Sequence, residues 1–191
     1  MSLLRTRLAS DIIAEFLPPT RPSDRVVILC DGMPSQPFKP YKTWLLRQFA
    51  KRGYWAFLPR YRGTWESSGR FLDHSPEQDI LDVIDALPRG FQDAWTQTDY
   101  CIRPQQVVVV GWSFGGTAAI MSALSETVDK VIAVSPVVDW TEPSEDEPMD
   151  WFGETVKRAF GDAYRYSMDD WGRLSRGEFF QPMSVVNQFD P

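Results

Sequence analysis

The chain contains little cysteine, little histidine and no excess of basic residues, and each shortage excludes a class of protein. Its two cysteines, Cys30 and Cys101, lie far apart and predict neither a disulfide framework nor a zinc site. Acidic residues outnumber basic ones by 26 to 20, so the chain lacks the basic face that nucleic-acid binding needs. It carries no glycine fingerprint of a dinucleotide site and no cluster of metal ligands, so we expect no cofactor and no metal.

Long apolar runs are also missing, and none approaches the roughly 20 residues of a membrane-spanning helix. The first residues, Met1 to Arg5, lack the layout of a secretory signal peptide. A chain of 191 residues can nevertheless bury a core without the help of disulfides. We therefore expect a globular, cytoplasmic protein that binds neither membranes nor nucleic acid.

Short β-branched runs alternate with helical segments along most of the chain. Strands are predicted at 25–30, 54–58, 106–110 and 131–134, and helices at 40–53, 75–87 and 114–124. Leu45, Leu46 and Phe49 form the apolar stripe of the first helix, and Ser75 with Gln78 suits a capping box at the second. This alternation predicts βαβ units, and hence a parallel sheet with helices on both faces.

The first twenty residues allow two interpretations. Apolar residues recur there at helical spacing, which on periodicity alone favours a helix: Leu4, Leu8, Ile12 and Phe16. The alternative is a hairpin of residues 3–8 and 11–17 that turns at Ala9 and Ser10.

The pattern changes after residue 140, and we divide the chain there into an α/β core, residues 1–140, and a lid-like segment, residues 141–191. Residues 141–150 are acidic and contain proline, which predicts an exposed loop. Helices are predicted at about 151–160 and 162–174. Aromatic side chains of this region could line a pocket or form a small core of the segment, the default interpretation: Trp140, Trp151, Phe152, Phe160, Tyr164, Tyr166 and Trp171.

The motif Gly111-Trp112-Ser113-Phe114-Gly115 follows the most strand-like run and opens a helix of small residues. A G-x-S-x-G motif in this setting predicts a sharp turn that lifts the serine hydroxyl clear of the sheet. Glycine two positions before and after the serine removes side chains that would clash at the turn. The helix N-terminus beneath the serine offers N–H groups to a developing oxyanion. The context favours a nucleophile over an ordinary strand–helix corner.

Four segments in the right order resemble the α/β-hydrolase superfamily, most closely its prolyl-oligopeptidase-like and dienelactone-hydrolase-like serine hydrolases. They lie between residues 10 and 140: VVILCDGMPSQP, GYWAFLPRYRGTWESSGRFLDHSPEQDILDVIDAL, VVVVGWSFGGTAAI and VIAVSPVVDW. The resemblance implies that Ser113 is the nucleophile and that the backbone N–H groups of Met33 and Phe114 form the oxyanion hole. The His-Gly pair of the family reads Asp31-Gly32 here, a change that leaves a backbone donor in place.

The resemblance also implies features outside the nucleophile turn. It favours the hairpin for residues 3–17, because these hydrolases begin with antiparallel strands. It gives Gly63 and Gly69 structural roles in the loop after the second predicted strand, where Arg60 and Arg62 are weaker candidates for substrate contacts.

The general base that would activate Ser113 is missing from the segment where the family places it. The order in this fold is serine, acid, histidine, and no histidine follows Ser113 in the chain. The only histidine, His74, precedes the second helix and is interpreted as a surface or structural residue. Asp139 is a candidate acid, although its position at a strand end favours a turn residue.

The resemblance implies that the acid and the histidine lie beyond Pro191, together with the last strands of the sheet. The end of the chain, residues 184–191, resembles the lead-in to the next strand. Two hypotheses follow. In the first, the chain belongs to a serine hydrolase that cleaves an ester or a peptide bond through an acyl-enzyme. In the second, it is a non-catalytic, degenerate hydrolase fold used in binding or assembly, whose open sheet edge favours a homo-oligomer.

Overall fold

The computed structural model describes residues 2–37, 39–143 and 148–189. A six-stranded sheet has the order β1-β2-β4-β3-β7-β8, and a small two-stranded sheet is formed by β5 and β6. The strands are β1 Leu4–Leu8, β2 Ile12–Leu17, β3 Arg25–Cys30, β4 Trp55–Pro59, β5 Phe91–Gln92, β6 Asp99–Tyr100, β7 Gln106–Trp112 and β8 Lys130–Val134. The helices are α1 Pro40–Lys51, α2 Glu77–Ala86, α3 Phe114–Ser122, α4 Met149–Phe160, α5 Met168–Ser175 and α6 Pro182–Val185.

The first twenty residues form the hairpin, and the helix suggested by periodicity is wrong. Strands β1 and β2 pair antiparallel, with Leu4 opposite Phe16, and turn at Ala9 and Ser10, which both have positive φ. Strand β2 lies between β1 and β4, and all six of its residues are buried. The four apolar residues at helical spacing form two cross-strand pairs of the hairpin, Leu4 with Phe16 and Leu8 with Ile12, so the same spacing arises here without a helix.

Strands β4, β3, β7 and β8 run parallel, so the predicted βαβ core is confirmed. Helix α1 covers one face, where Leu46 and Ala50 pack with Val27, Leu29 and strand β7. Helices α2 and α3 cover the opposite face and contact one another. The predicted strand and helix bounds agree with the structure to within about two residues at most ends, the uncertainty usual for element termini.

Two local predictions are wrong. The capping box at Ser75 does not form, because the N-cap residue of α2 is Pro76. Gln78 is therefore the second residue of the helix and not the third, which a capping box requires. The Ser75 hydroxyl contacts the carboxylate of Glu77 instead. The helix predicted at 162–174 begins only at Met168, since Ser167 and Asp170 form a capping box that starts a new helix there.

The end of the chain is helical: Pro182–Val185 form α6 and Val186–Gln188 form a 3-10 turn. That this segment leads to a further strand stays a prediction. Residues 190 and 191 of this predicted segment lie outside the described part of the chain.

We call residues 148–189 the cap. Hydrogen bonds of Arg165 join this segment to the loop after β4. The main chain of Arg165 accepts from Phe71 N–H at 2.8 Å and donates to the Gly63 carbonyl at 2.8 Å. Its guanidinium donates to the carbonyls of Trp65 and Ser67. A side chain on Gly63, which has φ of +71°, would overlap the Phe71 backbone, so this glycine permits the close approach. No helix in the described ranges combines the length and apolar character that crossing a membrane requires.

Candidate active site

Ser113 lies at the turn between β7 and α3 with a backbone conformation that few residues adopt. Its φ is +50° and its ψ is −121°, its side chain is exposed, and its N–H donates to the Val134 carbonyl at 3.0 Å. A Cβ on Gly111 would overlap the Gly115 carbonyl, and one on Gly115 would overlap the Cys30 carbonyl. Both glycines are therefore required for the chain to pass through this turn.

The turn after β3 contacts the turn at Ser113. A Cβ on Gly32 would lie 3.2 Å from the Trp112 carbonyl oxygen and 3.5 Å from Ser113 Cβ, so the two turns are in contact. Met33 follows at once, is 9% exposed and lines the same cavity as Ser113 and Phe114. The structure thus brings the three residues predicted for the nucleophile and the oxyanion hole to one place.

A buried lysine that the sequence analysis missed contacts the turn after β3. Lys42, 3% exposed, contacts the Asp31 carboxylate and the Ser35 hydroxyl, and donates to the Gln36 carbonyl at 2.6 Å. Lys42, Leu46 and Ala50 follow one another at intervals of four residues, and all three are buried. This i, i+4 spacing was the available signal that a charge lay on the buried face of α1.

Two further hydrogen bonds hold the same turn, one from the cap and one from the loop after β4. The Tyr164 hydroxyl accepts from Ser35 N–H at 2.8 Å, and Trp65 Nε1 donates to the Ser35 carbonyl at 2.9 Å. Burial raises the pKa of Tyr164 to about 12, so its hydroxyl stays protonated at neutral pH. The backbone that carries Met33 is consequently fixed by α1, by the loop after β4 and by the cap.

An apolar cavity of about 520 Å³ opens beside Ser113, between the sheet edge and the cap. Besides Met33, Ser113 and Phe114, its lining residues are Val137, Val138, Asp139, Trp140, Glu142, Pro143, Met149, Phe152, Trp171 and Met183. A cavity of this volume and character is typical of small-molecule sites. On the other side of Ser113 lies a shallower cleft of about 210 Å³, to which Asp31, Ser35, Tyr41 and Trp112 contribute.

Asp139, the candidate acid, lies in the wall of the 520 Å³ cavity. Its Oδ1 accepts from the N–H and the hydroxyl of Thr141, at 2.9 and 2.6 Å, and from Gln181 Nε2 at 2.6 Å. These hydrogen bonds, those of Thr141 first, lower the pKa of Asp139 and keep it ionised. The pattern is that of a turn residue that also tethers the segment containing α6.

The only histidine of the chain lies in a different cluster. His74 Nε2 is 2.8 Å from Asp79 Oδ1, and the Arg62 guanidinium also bonds Asp79 at 2.6 Å. Arg62 and the buried Arg60 take part in ion pairs that hold the loop after β4: Arg62 with Asp11, Asp79 and Asp82, and Arg60 with Glu15 and Glu66. None of these three basic residues lines the cavity beside Ser113.

The aromatic residues of the cap region divide between the two roles foreseen for them. Trp140, Phe152 and Trp171 line the cavity, while Phe160, Tyr164 and Tyr166 pack within the core around Phe71 and Trp65. Trp151 is 55% exposed and belongs to neither group. Within the described ranges, no group of three or more potential ligands is placed to hold a metal ion.

The arrangement presents a serine hydroxyl to solvent between two backbone turns and next to an apolar cavity. Such a site can place a carbonyl carbon against the hydroxyl and its oxygen against N–H groups. Among the described residues that line the cavity, none is a histidine or a lysine that could take the serine proton.

The folds of solved hydrolases match this chain over all or most of its length. An esterase of Pyrococcus furiosus matches 99% of this chain and 67% of its own, with 17% identity and a TM-score of 0.64. The acylaminoacyl peptidase of Pyrococcus horikoshii matches 100% of this chain and 31% of its own, with 14% identity and a TM-score of 0.63. Est1E of Butyrivibrio proteoclasticus, solved with ferulic acid, matches 69% of this chain and 52% of its own, with 18% identity and a TM-score of 0.52.

Identities this low establish the fold alone, and the chain spans two thirds of the esterase and under a third of the peptidase. Among curated proteins none matches the sequence significantly. The family model described as "Alpha/beta hydrolase family" matches residues 26–190. Because this match covers most of the chain, the chain belongs to the alpha/beta hydrolase family.

Proposed function

We propose that the chain forms the nucleophile half of a serine hydrolase, with Ser113 as the attacking residue and an ester or peptide bond as the substrate. The observation that carries the proposal is the backbone of Ser113, held at φ of +50° with its side chain exposed. A strained serine enclosed by two glycines that cannot carry side chains is costly to keep, and such strain concentrates at functional sites.

The reaction would proceed through an acyl-enzyme. Ser113 Oγ attacks the carbonyl carbon, its proton passes to a base, and the carbonyl electrons move to the oxygen, which the N–H groups of Met33 and Phe114 stabilise. Collapse of this intermediate expels the leaving group, which takes the proton from the base. Water then attacks the acyl-enzyme by the same route and releases the acid and free Ser113.

The base is the element that the described cavity does not supply. We propose that a histidine and an acid from sequence outside this chain complete the site, consistent with the part of the solved hydrolases that the chain spans. We assign Asp139 a structural role, because all of its hydrogen bonds given above end on one oxygen and hold Thr141 and Gln181. The esterase and peptidase relatives support hydrolysis in general and leave both substrate classes open.

The alternative is a fold that binds without catalysis. It is favoured by one observation, that His74 is engaged with Asp79 in another cluster and does not line the Ser113 cavity. Under this alternative the cavity binds a ligand that is not turned over.

The experiment that separates the two uses the protein complete with the proposed histidine and acid, and labels it with a fluorophosphonate probe, which reacts with activated serines. Labelling is expected in the wild type, with loss in Ser113→Ala and retention in Ser184→Ala, a matched control because Ser184 is exposed and lies outside the cavity. Hydrolysis of an activated short-chain ester should follow the same pattern. Equal labelling and equal hydrolysis in wild type and Ser113→Ala would exclude the serine mechanism.

A further inference from the structure

We propose that the 520 Å³ cavity binds the acyl chain of the substrate, and that this chain is apolar, uncharged and of medium length. The inference rests on the proposed function for the reaction at Ser113, but the ligand class follows from the cavity alone. The leaving group is then assigned to the shallow cleft on the other side of Ser113.

The position of the reacting groups fixes where the chain must begin. Ser113, Met33 and Phe114 all line the cavity, so a carbonyl held by them lies at its wall. The group attached to that carbonyl can extend in one direction into the cavity and in the other into the 210 Å³ cleft, which Ser113 and Met33 also line. The cleft contains Asp31 and Ser35 and lies beside the exposed Tyr41, so it suits a polar, solvated group.

The walls of the cavity are apolar. Its volume sets an upper limit on the length of the acyl group. Valine, methionine, phenylalanine and tryptophan side chains supply most of the lining: Val137, Val138, Met149, Phe152, Trp171 and Met183. At about 30 Å³ per heavy atom, the share of a liquid water, a volume of 520 Å³ holds on the order of 17 heavy atoms. Acyl groups of eight carbons or a phenylpropanoyl group have fewer heavy atoms than this and therefore fit.

The charged groups of the cavity select against anionic chains. Asp139 and Glu142 are its only charged lining residues among those described, and both are acidic. Asp139 is held ionised by Thr141 and Gln181. A carboxylate at the end of the acyl chain would lose its hydration without gaining a cationic partner.

The back wall is fixed rather than adaptable. Trp171 Nε1 donates to the Met149 carbonyl at 2.7 Å, and Trp140 Nε1 donates to the Phe180 carbonyl at 2.6 Å. A Cβ on Gly153 would overlap the Trp171 indole, so α4 packs directly on this ring. The cavity is therefore preformed, which reduces the ordering cost of binding an apolar chain.

The test measures binding of methyl ketones, which place a carbonyl and an alkyl chain in the site without being hydrolysed. Tryptophan fluorescence, to which Trp140 and Trp171 of the cavity wall contribute, follows titrations of wild type and Ser113→Ala. Since each buried methylene strengthens binding up to roughly fourfold, methyl hexyl ketone should bind at least tenfold more tightly than methyl ethyl ketone in both proteins. Adding a terminal carboxylate to the longer ketone should abolish the gain.

Two variants locate the binding. Val138→Asp places a charge in the cavity wall and should remove the preference for the longer ketone. Ile132→Asp is the matched control, because Ile132 is similarly exposed, 51% against 43%, and does not line the cavity. Equal affinity for the two ketones, or an equal loss in both variants, would overturn the proposal.

Rates of ester hydrolysis show whether the acyl group or the alcohol of the substrate occupies the cavity. In the protein complete with the proposed histidine and acid, lengthening the acyl group from acetyl to octanoyl at constant alcohol should raise kcat/KM. Lengthening the alcohol at constant acyl group should not, and the reverse result would overturn the assignment. Hydrolysis that does not depend on acyl length would contradict acyl binding in the cavity, but not the role of Ser113 as nucleophile. A preference for the longer ketone without any hydrolysis would contradict the proposed reaction at Ser113, but not the proposed apolar ligand of the cavity.

Discussion

At the scale of single residues, the glycines around Ser113 tolerate no side chain, because backbone atoms occupy the space. Gly115 in α3 and Gly172 in α5 both lie in helices, yet they differ in what a side chain would meet. A Cβ on Gly115 overlaps the backbone of Cys30, whereas one on Gly172 lies 3.0 Å from the guanidinium end of Arg176, which can move away. The comparison separates the effect of steric overlap from that of helix propensity.

We expect Gly115→Ala to lower the free energy of unfolding by about 3 kcal/mol or to prevent folding, since the backbone must shift to make room. Gly172→Ala should be neutral or stabilising by about 0.5–1 kcal/mol, because alanine favours the helix over glycine. Urea unfolding of both variants measures the difference. A Gly115→Ala protein as stable as the wild type would contradict the described turn.

His74 is the residue whose charge changes near neutral pH, and its partner determines the direction of the effect. The hydrogen bond to Asp79 raises the pKa of His74, while partial burial opposes this. The unfolded pKa is about 6.5, so the stabilisation is fully present below that pH and is lost as the pH rises through the higher folded pKa.

The advantage of wild type over His74→Gln in free energy of unfolding should therefore be larger at about pH 5.5 than at about pH 8.5. Denaturant titrations at the two pH values give this difference directly. An advantage that grows with pH would show that the His74–Asp79 contact does not stabilise the charged form. Because His74 is half-exposed, the change should be small.

At the scale of elements, the cap is held together by one large side chain between α4 and α5. Trp171 is 2% exposed and packs against Phe152, Tyr166 and the backbone of Gly153. Trp151, on helix α4, is 55% exposed. Two tryptophans of one cap thus have opposite environments.

Trp171→Ala should destabilise the protein by about 3–5 kcal/mol, the cost of removing a buried aromatic side chain. Trp151→Ala should change stability by less than about 0.5 kcal/mol, as is usual for exposed positions. Thermal unfolding of the two variants provides the comparison. Similar melting temperatures would mean that Trp171 is not the packing centre of the cap.

At the scale of the whole molecule, the sheet has an apolar edge. In the described ranges β8 pairs only with β7, and Ile132 and Val134 are 51% and 42% exposed. Exposed edges of this kind favour pairing with another chain. The net charge of −6 opposes association most strongly at low salt.

We expect this chain to self-associate with increasing protein and salt concentration, which is the homo-oligomer prediction made from the sequence. The double variant Ile132→Lys, Val134→Lys should shift the equilibrium toward the monomer, because lysine blocks edge pairing. Sedimentation velocity at several concentrations measures both proteins. Unchanged association in the double variant would locate the contact elsewhere.

The sequence predicts well what depends on short-range pattern and poorly what depends on distant partners. The parallel strands and the turn at Ser113 follow from β-branched runs and two glycines. The i, i+4 spacing places Lys42 on the buried face of α1, but its partners Asp31 and Ser35 come from another turn of the fold and cannot be read locally. The hairpin at residues 3–17 was ambiguous because burial between β1 and β4 is a property of the sheet, not of the segment.

The attachment of the cap to the loop after β4 has a consequence for the kinetics of ligand exchange. The main-chain hydrogen bonds of Arg165 with Gly63 and Phe71, and its guanidinium contacts, would all have to break for the cap to swing away. Lids that open during turnover are usually drawn from segments with few such bonds. Ligands should therefore enter and leave past the exposed lining residues Val138 and Met183, without movement of the cap. Their association rate should be set by diffusion and not by a slow opening step.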